Sequence, residues 1–311
     1  MDKRKILMIG SSVMELSLNM FQLPEPGQTV TDDGGVAYLP SGGATGLAVA
    51  LSKLGADAML CTKLGADAHG QSMYENYREL GIDTCAVKVD HEFPTGLCVT
   101  IKEGDGAERR VIYPGANENL TVENIQEAFG LNPEMLVLDL TLPAAVTSAA
   151  AKIASAKGIP FAVCPTDGIG DSPVGTLPQS EFFVIDDVTA EKMCGTRPAG
   201  TDSCLRAALA VYRQIHTKYL VIRLDRRGTF FYDGKHYGMV PPVGNGKLCG
   251  AARDLTDVYN ASLLLGYLTG GDVKGSAMLA ESAMAVFAAK GATHAVYPTT
   301  PEVYEFLSRN R

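Results

Sequence analysis

Apolar residues in this chain recur on two different periods. Short runs that are apolar at nearly every position, at 6–10, 58–62, 135–140, 160–164, 182–185 and 219–224, predict strands buried on both faces. Between them, apolar positions spaced by three and four predict helices at 45–54, 70–79, 143–156, 203–215, 258–267 and 276–289. Strand and helix in alternation imply a mostly parallel central sheet covered by helices on both sides, a three-layer α/β architecture. Two stretches break the rhythm. Residues 29–39 and 95–113 read as hairpins, the second around a turn at Gly104, Asp105 and Gly106. They predict a small β-strand lid appended to a single domain spanning 1–311.

Charge and cysteine usage narrow the class. Twenty-seven Lys and Arg stand against 35 Asp and Glu, a formal charge of −8, and no basic run exceeds Lys3 to Lys5 or the pair Arg109 and Arg110. A nucleic-acid partner is therefore not expected. The apolar run after Lys5 ends at Ser11, Ser12 and Glu15, so it reads as a first buried strand and not as a signal peptide. No stretch approaches the ~18 apolar residues of a bilayer span, and no membrane partner is expected. Seven scattered cysteines without a CxxC pair point to reduced thiols and a cytoplasmic setting.

Several short motifs follow one another along the chain. Gly10, Ser11 and Glu15 close the first strand, then come LPEPGQTVT (23–31), SGGATGLAVALSKLGA (41–56), KLGADAHG (63–70), Thr95 with Gly96, Gly115 to Asn117, AEKMCG (190–195) and DLTDVYNA (254–261). In this order they resemble the PfkB, or ribokinase, family of small-molecule kinases over nearly the whole chain, the last falling where that family has GAGDxFNA. The resemblance implies a ribokinase-like fold and transfer of the γ-phosphoryl group of ATP, with Mg²⁺, to a hydroxyl of a small sugar, polyol or nucleoside. It also implies a possible homodimer through the lid. Asp257 falls on the family's catalytic base, at a helix start where backbone amides form an anion hole. That chemistry is coherent, because a hydroxyl nucleophile needs a proton acceptor and the transferred group needs oriented donors.

The departures from the family cluster in the same place. Asp254, Leu255 and Thr256 replace the two glycines and alanine of the anion hole, and Ala251 and Ala252 replace the Asp-Thr pair before them. The local pattern also reads as a helix start, with Asp254 as cap and Asp257 in the first turn. On the nucleotide side Asp225, Arg226, Arg227 and Gly228 stand for a Gly-x-x-Gly turn, so the two arginines either contact phosphates or form an exposed turn. Asp186 and Thr189 replace an Asn and a Glu; Asp186 and Asp187 either hold Mg²⁺ or are solvated at a strand end. At the substrate end, Glu15 replaces an Asp, Gly46 an Asn, and Thr141 a sugar-contacting Glu. Gly42 and Gly43 line the site or only form the turn into the helix. Two functions stay open: an ATP-dependent kinase, or a kinase-fold protein that binds a sugar-like metabolite or nucleotide without efficient turnover.

Overall fold

A computed structural model describes residues 3–31, 35–104, 108–166, 168–170, 172, 174–243, 252–290 and 296–309. Asp105, Gly106, Cys249 and Ala251 lie outside the described residues, as do the side chains of Asp225 and Ala252.

In chain order the strands are β1 (Lys5–Ile9), β2 (Val13–Met20), β3 (Val36–Ser41), β4 (Asp57–Gly65), β5 (Val87–Asp90), β6 (Gly96–Glu103), β7 (Glu108–Tyr113), β8 (Met135–Leu138), β9 (Phe161–Val163), β10 (Ser180–Asp186), β11 (Thr217–Arg223), β12 (Thr229–Tyr232) and β13 (Tyr237–Val240). The helices are α1 (Thr45–Lys53), α2 (Ala68–Glu79), α3 (Val122–Ala128), α4 (Ala144–Ala156), α5 (Asp187–Cys194), α6 (Thr201–Tyr212), α7 (Ala252–Leu268), α8 (Val273–Ala289) and α9 (Thr300–Arg309).

The main sheet runs β13-β12-β11-β10-β9-β8-β1-β4-β5. It is parallel from β11 through to β5, with β12 and β13 added antiparallel at one edge. The runs that are apolar at every position explain the layering. In β1, Ile6 and Met8 join a core with α1, α7 and α8, while Leu7 and Ile9 join a second core with α4 and α6. Each such side chain contributes about 1.5–3 kcal/mol on burial, so a strand apolar on both sides is driven to the middle of three layers. β1 pairs with β8 on one side and β4 on the other, which makes the gap beyond the carboxyl ends of β1 and β8 the switch point of the sheet.

A separate four-stranded sheet, β3-β2-β6-β7, lies where the sequence predicts the lid. Strand β2 corrects the hairpin expected at 29–39: among the described residues of that stretch only Val36 to Leu39 are strand, and they pair with β2 instead of folding back locally. The register divides the lid into two faces. Glu15, Ser17, Cys98, Thr100 and Arg110 share one, and the row Tyr38, Leu16, Val99 and Val111 crosses the other.

Candidate active site

The carboxyl ends of β1, β8 and β9 and the amino ends of α1 and α7 meet in one cluster. Asp139, the first residue beyond β8, is buried; its Oδ1 accepts from Thr166 N at 3.0 Å and Thr166 Oγ1 at 2.9 Å. Its Oδ2 accepts from Thr141 N at 3.3 Å and from the Thr141 hydroxyl. Thr141 Oγ1 also accepts from Ser11 N at 3.2 Å and lies 2.7 Å from Ser11 Oγ, joining the ends of β8 and β1. Gly42 and Gly43 wrap this cluster. Gly42 has φ +118°, and a Cβ there would overlap Ser11 O, while one on Gly43 would overlap the Asp139 carboxylate. The diglycine thus both makes the turn into α1 and lets backbone press against a buried acid.

Asp257 is 1% exposed, with Oδ2 packed on Gly46 of α1 and Oδ1 buried without a hydrogen-bond partner among the described residues. Burial raises its pKa well above the usual carboxylate range; Arg253 and Arg223 pull it down, while Asp254 and Asp139 push it up further. Gly46, read from the sequence only as a lost amide, is the surface on which this acid sits.

The segment expected as a loop or a cap is instead part of the opening turns of a helix. Because α7 already begins at Ala252, Asp254 is not its cap and Asp257 lies in the second turn. Leu255 is buried in the core, the Tyr297 hydroxyl donates to Asp254, and Arg223 donates to Thr256 Oγ1. The cause is local: without glycine or proline here, Leu255, Val258 and Tyr259 fall at helical spacing and the helix extends back through them.

From the lid, Glu15 of β2 approaches the cluster. Burial alone would raise its pKa, but hydrogen bonds from Ser41 and Thr100 and the charges of Arg110 and Arg253 outweigh that and hold it below the usual range. Arg110 Nη2 is 3.8 Å from Glu15 Oε2. Glu15 therefore stays ionised at neutral pH.

The carboxylates proposed for Mg²⁺ do not fit that role. Asp186 caps α5, accepting from Thr189 N at 2.7 Å, and the buried Asp187 receives Arg197 Nε at 2.9 Å and Arg227 Nη2 at 2.7 Å. Asp187 is thus not solvated either and is committed to two arginines, while Asp186 spends Oδ1 on the helix start. Arg227 also donates from Nε to Leu224 O at 3.2 Å, so it folds back on the sheet end although it is exposed, as Arg226 is. Asp225 opens a short 3-10 turn, and Gly228 after it has φ +87° and ψ −153°, a conformation open only to glycine, with Val240 O where a Cβ would be.

Other motifs tie the second sheet to the main one. Asp67 caps α2 through Gly70 N at 2.8 Å and receives Thr95 N and Thr95 Oγ1, each at 2.7 Å. Asn117 receives Ser12 N at 2.9 Å and returns a bond to Ser12 O at 2.8 Å, fixing the link between β1 and β2. Sequence reasoning missed two residues of the site. Asp139 was hidden as the last acid of an apolar strand, and Arg253 as a lone basic residue before the motif; its Nη2 donates to Thr166 Oγ1 at 3.4 Å.

A doubly covered parallel sheet with its polar cluster at the switch point and a β lid beside it defines a ribokinase-like α/β protein. The chain belongs to the PfkB family: the pattern described as pfkB family carbohydrate kinase matches residues 3–300. It is similar to the ribokinase of Staphylococcus aureus, 24% identical over 234 residues that cover 73% of this chain and 75% of that one. It is equally similar to the ribokinase of Haemophilus influenzae, 24% identical over 320 residues covering 98% and 99%. Its fold matches that of an Arabidopsis thaliana ribokinase solved with ribose and ATP, at a TM-score of 0.85 and 17% identity over 98% of this chain and 99% of that chain. Among the described residues no helix is long and apolar enough to cross a membrane.

Proposed function

We propose that this chain is an ATP-dependent kinase that phosphorylates a hydroxyl of a small sugar, polyol or nucleoside, with Asp257 as the base. The observation that carries this reading is the buried Oδ1 of Asp257, beside the sheet's switch point and without a partner among the described residues. A buried carboxylate oxygen without a donor is costly, and an acceptor hydroxyl supplies the missing donor. Asp257 takes the hydroxyl proton as that oxygen bonds to the γ-phosphorus and the bond from phosphorus to the β–γ bridging oxygen breaks, releasing ADP. Its raised pKa makes it a stronger proton acceptor than an ordinary aspartate.

Glu15 accepts hydrogen bonds from another hydroxyl of the acceptor. Asp139 holds the strand ends, and because the Thr141 hydroxyl is spent on Asp139, Thr141 does not serve as a sugar acceptor as a Glu would. The backbone amides in the first turn of α7 have no partners within their helix and supply donors for phosphate. Gly228 shapes the turn that carries Arg226, the candidate nucleotide contact. Mg²⁺ accompanies ATP in such kinases and neutralises phosphate charge.

The outer lid face supports pairing with a second copy. Tyr38, Val111 and Tyr113 are 59%, 71% and 52% exposed there, an apolar patch larger than isolated surface residues make.

The test is transfer from γ-labelled ATP to a panel of pentoses, hexoses, polyols and nucleosides. Asp257→Asn should lower kcat by about 10²–10⁴ on the best acceptor while ATP still raises the melting temperature. Equal turnover by the variant and the parent overturns the assignment.

A further inference from the structure

Arg253 and Asp257 stand four residues apart on α7, hence on one face of that helix. The Arg253 guanidinium reaches the strand-end cluster, donating from Nη2 to Thr166 Oγ1, the same hydroxyl that donates to Asp139. Its charge favours the ionised forms of both Asp257 and Glu15, while its one described hydrogen bond anchors it at the strand-end cluster that Asp139 and Thr166 form. Among the described residues, the acids around that point are Asp139, Asp254, Asp257 and Glu15, and the other cations near it are Arg223, which donates to Thr256, and Arg110, which faces Glu15. A phosphoryl group entering among these carboxylates needs a cation within reach, and the glycine loop that aims amides at phosphate in relatives is a helical turn here.

We propose that Arg253 is a catalytic residue whose guanidinium stabilises the negative charge on the phosphoryl group during transfer, compensating for the missing glycine loop. The inference rests on the kinase reading above. A guanidinium suits the task because its planar fork offers paired donors to phosphate oxygens and keeps its charge when partly buried. The acceptor oxygen is bound to Asp257 as it attacks, so a cation beside Asp257 lies close to the phosphorus at that moment and is farther from the ground-state nucleotide. Stabilisation of that kind appears in kcat more than in KM.

The test uses the full chain and the best acceptor from the panel, comparing Arg253→Met, Arg253→Lys and Arg253→Ala. Arg253→Met should lower kcat by about 10²–10³ with KM for the acceptor little changed, and Arg253→Lys should recover only part of the loss. Free guanidinium ion should restore turnover to Arg253→Ala in a saturable way, which a merely structural arginine would not allow. Binding of ADP with aluminium fluoride, an analogue of the transferred group, should weaken in Arg253→Met while ADP alone binds as before. Unchanged kcat in Arg253→Met overturns the proposal, and so does loss of ADP and analogue binding to the same degree. A parent protein that transfers phosphate to no acceptor overturns the kinase reading itself, and this proposal with it; an active parent with an indifferent Arg253 overturns this proposal alone.

Discussion

Gly46 and Asp257 are built against each other: a Cβ on Gly46 would overlap Oδ2 of Asp257. The helix that follows the diglycine and the helix that carries the base therefore share one contact, made by a residue with no side chain and a buried acid. A family asparagine at position 46 and this placement of Asp257 exclude one another. The loss of the asparagine and the extension of α7 are thus two sides of one rearrangement.

Gly46→Ala should displace Asp257, since the added Cβ would overlap its carboxylate. Overpacking of this sort costs about 1–3 kcal/mol, and kcat should fall because the base moves. Thermal melts and kinetics on the same preparation check this. An alanine variant with the parent's stability and turnover would show that the contact is loose.

Glu15→Gln removes the charge held by Ser41, Thr100 and Arg110 but keeps the size of the side chain. Loss of a charge-assisted bond to the acceptor should raise its KM by the equivalent of about 1.5–3 kcal/mol, with ATP affinity unaltered. Calorimetry that finds the nucleotide weakened and the acceptor unaffected would move Glu15 out of the acceptor site.

A pH dependence of stability follows from Glu281 of α8. It is buried, accepts from Thr229 Oγ1 at 2.7 Å, and burial pushes its pKa from 4.5 up to about 7, against the pull of Thr229 and Arg223. Below pH 4.5 the group is protonated folded or unfolded. As pH rises toward 7 the unfolded chain ionises first, so this group's share of stability is lost across that window. The loss should be on the order of 3 kcal/mol and complete above the folded pKa. Glu281→Gln should remove that slope and be the more stable form at pH 8 in denaturant titrations. Parallel stability profiles for the two proteins from pH 5 to 8 would count against it.

Val111→Glu places a charge at the exposed β7 end of the row formed with Val99, Leu16 and Tyr38. If two copies pair through this face, sedimentation velocity should show the parent as a dimer and the variant as a monomer with an unchanged melting transition for the subunit. A monomeric parent would refute lid pairing.

The central strands and the main helices were readable in the chain because their signal is local. Ile6 to Ile9 and Met135 to Leu138 are apolar at every position, which only a doubly covered strand satisfies, and the helical spacing in Thr45 to Leu54 is unbroken. The strand that carries Glu15 was not read: Glu15 was joined to the first strand, although Val13, Glu15, Ser17 and Asn19 alternate with Met14, Leu16, Leu18 and Met20, because its pairing is long-range. Family resemblance added Asp257 and Glu15 as candidates. Tertiary structure alone decided what surrounds them. Which acids are committed to partners, as Asp187 is to Arg197 and Arg227, depends on side chains 10 and 40 residues away in sequence. The place of Arg253 beside Asp257 depends on where α7 begins. Periodicity reports which face of an element is buried, whereas a site is made where the ends of several elements meet, and that meeting is set by the packing of the whole sheet and its helices.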